Sequence, residues 1–321
     1  MRKPAEHQPA AAAMEILSCA VLPQPWGAAY RIYAPDAFEG HLYLGGWLAR
    51  ADTGPDLLYR TLQTLNDPPV AVAWTGANPR AHVHLNDPSL LRPASTDGTD
   101  RSHWLFAFAT ALPNEFATAA DMTRRNQVGL SSSVDGGVTW TWHGIVIGQD
   151  NGIDACGAWA PTALASGNHI DLWYHTGGTD PETGWTAPPR ILRTTLAANG
   201  WEAEGTVECL RTDTGRRLQA TNIDVERDAE GTLWLVGQDF GYFARGEIVL
   251  YTSRDGVRWT PWHEAGPVLI DPADGIHLGT PAIETVGNGR ITILMSQFTG
   301  EGARLMEGDA TYQHRWEIGL D

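Results

Sequence analysis

The residues best suited to acid–base chemistry in this sequence are two aspartates that lie 137 residues apart. Asp87 stands in the segment Asn86-Asp87-Pro88, and Asp224 lies within a short polar and β-branched run. Strand alternation places Asn222, Asp224 and Glu226 on one face, which is too polar for a packed core. We therefore expect these groups to face a central channel, where carboxylates are available for acid–base chemistry.

These residues belong to a segment type that recurs along the chain, each time before a turn and an aromatic or β-branched run. The four copies are Asn86–Leu91, Ala158–Ala163, Asn222–Glu226 and Gly279–Glu284. Their anchor positions, 87, 159, 223 and 280, are 72, 64 and 57 residues apart. A repeat of this length with strand-like content predicts the blades of a β-propeller, whose first strands converge on one axis.

Five apolar or alternating runs predict a second strand for each of five blades. They lie at 41–47, 103–109, 169–175, 232–237 and 290–295. We therefore expect an all-β, five-bladed β-propeller.

The ends of the chain are expected to close the ring. We predict that strands at about 29–65 join Gln313–Ile318, so that N- and C-terminal strands pair in one blade and leave no open edge. Residues 1–24, which are rich in Ala and Pro, are predicted as an irregular lead-in. Residues 25–321 are predicted as a single propeller domain.

Composition limits the classes of partner. The chain has 22 Lys+Arg against 38 Asp+Glu, a formal charge of -16, so we expect neither nucleic acid nor a membrane surface as partner. A small neutral carbohydrate suits this charge better. The three cysteines, Cys19, Cys156 and Cys209, do not form a disulfide pattern, and no secretory leader is evident, so we expect a cytoplasmic location.

The ordered motifs resemble those of the five-bladed propeller glycosidases, above all glycoside hydrolase family 43. The similarity covers roughly residues 80–300 and rests on "NDPSLL", "GAWAPTAL", "NIDVERDAEGTLWLVG" and "GTPAIETVGNGRITIL". It implies three axial carboxylates: Asp87 as general base, Asp224 as pKa modulator, and a glutamate before Gly-Pro as general acid. Here Gly279 occupies the position of that acid.

Other carboxyls could supply the missing proton. Glu226 shares a face with Asp224, and Asp154 lies in a loop just before Trp159. Glu208 precedes a cysteine, as in the fructan-hydrolysing propellers that this chain resembles more loosely. Glu284 is close in sequence but has the wrong strand parity.

Several further residues are candidates for binding sugar. Trp159 could stack on a sugar ring, because sugars present C–H faces to indole rings. Asn86 and Asn222 flank the two aspartates, and Asp56 is the candidate axial acid of the fifth blade. No cofactor is expected to be required, although the resemblance implies a calcium ion on the axis near His277.

Two segments of the form Ser-x-Asp-Gly, followed by Trp, resemble the Asp-box turns of sialidases and other carbohydrate-active propellers. They are Ser133–Trp140 and Ser253–Trp259. Such turns are structural, so Asp135 and Asp255 are not site candidates.

Two alternatives to hydrolysis remain open. The absence of a carboxylate at Gly279 is compatible with a propeller that binds a sugar or another metabolite, or that performs chemistry needing only one base. A sialidase-like enzyme is suggested by Tyr30–Pro35. Sialidases, however, need six blades and three arginines for the substrate carboxylate.

Overall fold

A computed structural model of the chain describes sixteen segments between residues 16 and 320. They are 16–22, 31–47, 57–61, 69–76, 83–94, 101, 103–113, 126–148, 157–179, 186–199, 202–204, 206–218, 220–239, 247–262, 276–299 and 309–320. The secondary structure in these segments consists of β-strands grouped in five sheets. The all-β propeller predicted from the repeat is confirmed.

The first three sheets follow one another along the chain. The first sheet contains β2 (Arg31–Phe38), β3 (His41–Trp47), β4 (Leu57–Thr61) and β5 (Pro69–Ala71). The second contains β7 (Val83–Leu91), β8 (Leu105–Pro113), β9 (Gln127–Ser133), β10 (Thr139–Ile147) and the edge strand β6 (Ala73–Thr75). The third contains β11 (Trp159–Ser166), β12 (His169–Thr179), β13 (Thr186–Ala197) and β14 (Glu208–Cys209).

The last two sheets are built in the same way. The fourth contains β16 (Ala220–Arg227), β17 (Leu233–Asp239), β18 (Ile248–Ser253), β19 (Arg258–Pro261) and the edge strand β15 (Arg211–Thr212). The fifth contains β20 (Ile276–Gly287), β21 (Arg290–Thr299), β22 (Asp309–Gly319) and β1 (Ile16–Leu22). Each of the five predicted second strands is found beside the first strand of its sheet.

The first strands of the five sheets lie side by side. Strand β2 contacts β7, β7 contacts β11, β11 contacts β16, β16 contacts β20, and β20 contacts β2. The polar segments singled out in the sequence therefore meet around one central space. Each sheet continues outward from it through antiparallel hairpins, such as the β20–β21 turn at Asn288-Gly289, where both residues have positive φ.

The apolar core lies between neighbouring sheets. Phe108 and Leu130 of the second sheet pack with Leu172 and Leu192 of the third. Equivalent clusters join the third sheet to the fourth and the fourth to the fifth. This face-to-face packing fixes the angular position of each first strand.

Two predictions about the chain ends are wrong. Ile16–Leu22, expected to belong to an irregular lead-in, forms β1 and pairs antiparallel with β22. The strands of residues 31–71, expected to join the C-terminal strand, form a sheet of their own. The reason is that β1 already covers the outer edge of β22, while a two-residue turn with positive φ at Glu39 and Gly40 pairs β2 with β3.

The two Ser-x-Asp-Gly turns are held by their aspartates. Asp135 Oδ1 accepts the backbone N–H groups of Val138 and Thr139, at 3.1 and 2.9 Å. Asp255 Oδ1 accepts those of Val257 and Arg258, at 2.9 and 2.7 Å. The aspartates thus accept backbone N–H groups that a tight turn leaves without a backbone acceptor.

The second of these turns also joins two sheets. The carbonyl of Gly256 accepts indole N–H groups from Trp259 in its own sheet, at 3.2 Å, and from Trp173 in the third sheet, at 2.8 Å. Gly256 has a φ of 74°, and a Cβ there would approach the Trp173 ring to 2.9 Å. Glycine is therefore required for both the turn and the contact between sheets.

Replacing Asp255 should weaken the fold without touching the central space. Asp255→Ala removes the acceptor of two backbone N–H groups and should lower the free energy of unfolding by about 1 kcal/mol. Chemical denaturation checks this, with Glu230→Ala in the neighbouring exposed turn as the matched control. Equal stability of the two variants would show that the turn does not depend on its aspartate.

Candidate active site

Each first strand is interrupted by one residue in the left-handed conformation. These residues are Ala34 (φ 51°), Asp87 (φ 47°), Ala160 (φ 45°), Asn222 (φ 45°) and Thr280 (φ 49°). At each of them the pairing register with the second strand shifts. Positive φ is unfavourable for residues other than glycine, and its repetition marks these bulges as built features of the fold.

Proline follows four of the five left-handed residues, at positions 35, 88, 161 and 281. Proline has no N–H to donate, so it suits a position where the ladder is already broken. The bulge turns the side chain of the left-handed residue towards the space between the first strands.

A second repeated contact ties neighbouring first strands together. The side chain two positions after the left-handed residue accepts a backbone N–H from the next first strand; we call this contact the inter-strand clamp. The four clamps are Asp36 Oδ2 with Leu90 N–H (2.6 Å), Ser89 Oγ with Ala163 N–H (3.0 Å), Thr162 Oγ1 with Val225 N–H (3.1 Å) and Asp224 Oδ2 with Ile283 N–H (2.7 Å).

The contact between β20 and β2 uses a different hydroxyl. The residue at the clamp position of β20 is Ala282, which has no acceptor in its side chain. Thr280 Oγ1 instead accepts the N–H of Ala34 at 3.1 Å. Each pair of neighbouring first strands is thereby joined through a polar side chain.

The five left-handed residues line an open pocket at the centre of the ring of first strands. Three carboxyls line this pocket: Asp36 on β2, Asp87 on β7 and Asp224 on β16. The two aspartates predicted to face a common pocket, Asp87 and Asp224, do so together with Asn222.

Asp87 has a fixed orientation. Its Oδ2 accepts the hydroxyl proton of Thr110 at 2.8 Å, and the same hydroxyl accepts the N–H of Ala160 at 2.7 Å. Because Thr110 receives that N–H, its own proton is directed to Asp87. Burial raises the pKa of Asp87 to about 6, and the hydrogen bond from Thr110 opposes the rise.

Asp224 receives more hydrogen bonds than Asp87. Thr162 Oγ1 donates to its Oδ1 at 2.7 Å, and Ile283 N–H donates to its Oδ2. Burial raises the pKa of Asp224, while these donors stabilise its charged form. Asp224 is thus both a clamp and a charge at the wall of the pocket.

Asp36 is a pocket carboxyl that the sequence reasoning missed. Burial, and then the charge of Asp224, raise the pKa of Asp36 well above its usual range. A signal was present, because Ala34-Pro35 repeats the pattern of Asp87-Pro88 and Ala160-Pro161. The leading residue of that pattern is Ala34, and the carboxyl stands two positions later, at Asp36.

Glu226 lies near this cluster but does not line the pocket. Burial, and then the charge of Asp224, raise the pKa of Glu226 to about 8. The bulge at Asn222 interrupts the strict alternation that the sequence implied, yet Asn222, Asp224 and Glu226 all lie on the side of the central space. Asn222 Nδ2 donates to Gln238 Oε1 at 2.7 Å.

Two of the candidate acids are paired away from the pocket. Glu208 is exposed on β14, the outer strand of its sheet, and lies 3.3 Å from Arg193. Glu284 forms an ion pair with Arg315 at 2.5 Å. Arginines of other strands hold both carboxylates outside the pocket lining, and a proton-donor role for Glu208 or Glu284 stays a prediction.

The aromatic and amide candidates are held by neighbouring residues. Trp159 is half-buried and stacks on the His175 ring, with 6.1 Å between ring centroids and 24° between planes. Asn86 is directed at the neighbouring sheet, because a Cβ on Gly45 would lie 2.2 Å from its Oδ1. Neither side chain lines the pocket, so their roles in sugar binding stay predictions.

Three of the predicted site residues lie wholly or partly outside the described residues. Asp56 and Asp154 lie outside the described residues, and His277 lies in β20 with its side chain outside them. The part of the chain that the structure describes contains no group of three His, Cys, Asp or Glu side chains that could hold a metal ion. A calcium ion near His277 stays a prediction, and no chemistry below passes through a metal.

The described segments contain no helix of the length and apolarity that crossing a membrane requires. Cys19 and Cys209 are free thiols, as expected, and Cys156 lies outside the described residues.

Comparison with known proteins identifies the fold. No sequence family matches this chain, and no curated protein matches it. A thermostable family-43 glycoside hydrolase superposes with a TM-score of 0.61 at 12% identity, over 92% of this chain and 91% of that one. The fold is that of the family-43 propellers.

Two further structures extend the likeness. A family-43 β-1,3-galactosidase, solved with galactodeoxynojirimycin, has a TM-score of 0.59 at 11% identity, over 92% of this chain and 93% of that one. An N-acetylgalactosamine deacetylase from F. plautii, solved with blood group B trisaccharide, has a TM-score of 0.58 at 13% identity, over 90% and 89%. The expected resemblance to family 43 is confirmed at the level of structure, and one fold here carries more than one chemistry.

The raised pKa of Glu226 should make stability depend on pH. The folded protein holds this proton up to about pH 8, whereas an unfolded glutamate releases it near pH 4.5. The contribution of Glu226 to the free energy of unfolding is therefore complete below about pH 4.5 and is lost as the pH rises towards 8. Glu226→Gln should flatten this fall.

Chemical denaturation at several pH values between 5 and 8 tests the effect, with Glu230→Gln, an exposed glutamate in the turn after β16, as the control. If the free energy of unfolding of Glu226→Gln falls with pH as steeply as that of the wild type, Glu226 is ionised in the folded protein throughout this range.

Proposed function

We propose that this chain is a glycoside hydrolase-like enzyme that acts on a neutral furanoside or small pyranoside, with inversion at the anomeric carbon. Its five sheets are the blades of a five-bladed propeller, closed where β1 pairs with β22, and the pocket on the axis holds the substrate. The observation that carries the proposal is Asp87, a half-buried and oriented carboxyl in that pocket with a pKa of about 6.

Asp87 has the properties of a general base. A base works best when its pKa lies slightly below the working pH, because it is then ionised and still binds a proton well. Thr110 fixes one oxygen of Asp87, so the other can accept a proton from a water molecule. That water attacks the anomeric carbon, and Asp87 takes its proton as the new C–O bond forms.

Asp224 supports this chemistry through its charge. Its hydrogen bonds from Thr162 and Ile283 stabilise the carboxylate form, and its charge raises the pKa of the carboxyls beside it. This supports the role of pKa modulator that the resemblance implies for Asp224.

The choice of a neutral substrate rests on charge. Three carboxyls line a pocket in a chain of formal charge -16, which disfavours a phosphate, sulfate or uronate group. Carboxylate and amide oxygens are good acceptors for sugar hydroxyls. The galactose-type inhibitor and the trisaccharide bound by the structural neighbours support a carbohydrate ligand here.

A second candidate function is sugar binding without hydrolysis. It is favoured by one observation: Gly279, not a carboxyl, stands immediately before the left-handed Thr280 on β20, where the resemblance implies a general acid. A propeller with this pocket could bind a sugar or carry out chemistry that needs one base.

The substitution Asp87→Asn separates these functions. We expect it to reduce kcat/KM on aryl glycosides by about 100-fold or more, because the amide cannot accept the proton of the attacking water. The measurement uses a panel of aryl arabinofuranoside, xyloside, fructoside, galactofuranoside and sialoside substrates. Asp213→Asn, in an exposed turn outside the pocket lining, is the matched control.

Full activity of Asp87→Asn on a substrate that the wild type hydrolyses would contradict the proposal. If the folded wild type binds a sugar of the panel and hydrolyses none, the second function is correct.

A further inference from the structure

Asp36 and Asp87 are neighbours across two first strands. Asp36 lies two residues after the left-handed Ala34 on β2, and Asp87 is itself the left-handed residue of β7. Both side chains line the same pocket. The N–H of Leu90, three residues beyond Asp87, donates to Asp36 Oδ2 at 2.6 Å, so one contact fixes the position of Asp36 relative to the strand of Asp87.

The surroundings of Asp36 are acidic. Asp224 and Glu226 are the charged groups that act on it, and both oppose its ionisation. The ion pairs among the described residues do not include Asp36. Its pKa is raised well above the ordinary range, first by burial and then by Asp224. Burial and the charge of Asp224 thus favour the protonated form of Asp36, whereas Asp87, with a pKa of about 6, is mostly ionised at neutral pH.

The other carboxyls within the described residues are less suitable for delivering a proton. Gly279 has none, and Glu208 and Glu284 are paired with arginines. Glu226 holds a proton but does not line the pocket. Asp224 accepts two hydrogen bonds that stabilise its charged form.

Resting on the proposed function, we propose that Asp36 is the proton donor that this chain uses in place of the carboxyl missing at Gly279. Asp36 gives its proton to the glycosidic oxygen as the bond between that oxygen and the anomeric carbon breaks. Water attacks the same carbon from the opposite face and gives its proton to Asp87. The products are the free sugar and the alcohol; Asp36 leaves the step ionised and Asp87 protonated, and exchange with water restores both.

The chain itself suggests how to remove the proton donor without losing the clamp. Ser89 occupies the clamp position on β7 that corresponds to Asp36 on β2, and its hydroxyl also accepts a backbone N–H. Asp36→Ser therefore keeps an acceptor for Leu90 but removes the ionisable group. Asp36→Asn also keeps an acceptor and removes the ionisable group, and its side chain has the shape of aspartate. At least one of the two variants should therefore fold.

The experiment compares two leaving groups on the sugar that the wild type hydrolyses. The 2,4-dinitrophenolate group leaves without protonation, whereas the phenolate group of a phenyl glycoside needs a proton from an acid. We expect Asp36→Asn and Asp36→Ser to lose about 100-fold or more in kcat/KM on the phenyl substrate and to stay within about threefold on the dinitrophenyl substrate. Thermal unfolding checks that each variant is folded.

Two control variants distinguish a proton donor from a structural residue. Ser89→Ala removes a clamp but no ionisable group, so any loss of activity should be equal for both leaving groups. Glu226→Gln removes the competing protonated carboxyl and should not produce the selective loss.

Equal losses for both leaving groups in the Asp36 variants, or a selective loss in Glu226→Gln, would overturn the assignment of Asp36. In either case, a wild type that hydrolyses the substrate and an Asp87→Asn variant that does not would leave the proposed function intact. A wild type that hydrolyses neither substrate class would refute the proposed function itself.

Discussion

The contact on which the pocket depends is the hydrogen bond from a backbone N–H of one first strand to a side chain of the neighbouring first strand. It occurs at Asp36, Ser89, Thr162 and Asp224, and Thr280 supplies a related contact at the fifth junction. The left-handed residues make this contact available, because the bulge breaks the ladder and leaves backbone groups without partners within their own sheet. Polar side chains on the inner strands therefore serve packing as well as chemistry.

The same geometry places carboxyls where water is scarce. Two of the clamps, Asp36 and Asp224, are carboxyls, and Asp87 occupies a left-handed position beside them. Burial raises the pKa of all three, but their hydrogen bonds and charged neighbours differ, so the three carboxyls are not equivalent. A pocket that holds a protonated and an ionised carboxyl together has what acid–base catalysis needs. In this account the chemistry follows from how the ring is held together.

The sequence predicted the propeller because strand-like segments recur at blade spacing, and it found Asp87 and Asp224 because they stand in those segments. It missed Asp36, since the first segment begins with Ala34-Pro35 and shows no acid at the leading position. The sequence does not show that Asn222 is the left-handed residue of β16, because the bulge there is defined by the pairing register with β17. The ion pairs of Glu208 and Glu284 could not be predicted either, because their arginine partners lie on other strands, and strand pairing is a property of the folded chain.

The central claim is that this pocket separates the pKa values of two neighbouring carboxyls, and carboxyl ¹³C NMR of aspartate-labelled protein tests it most directly. The Asp36→Asn and Asp87→Asn spectra assign the two resonances. The account predicts that Asp87 titrates near pH 6 and that the pKa of Asp36 lies well above the ordinary value for aspartate. Titration of both groups near pH 4, the ordinary value for aspartate, would contradict it.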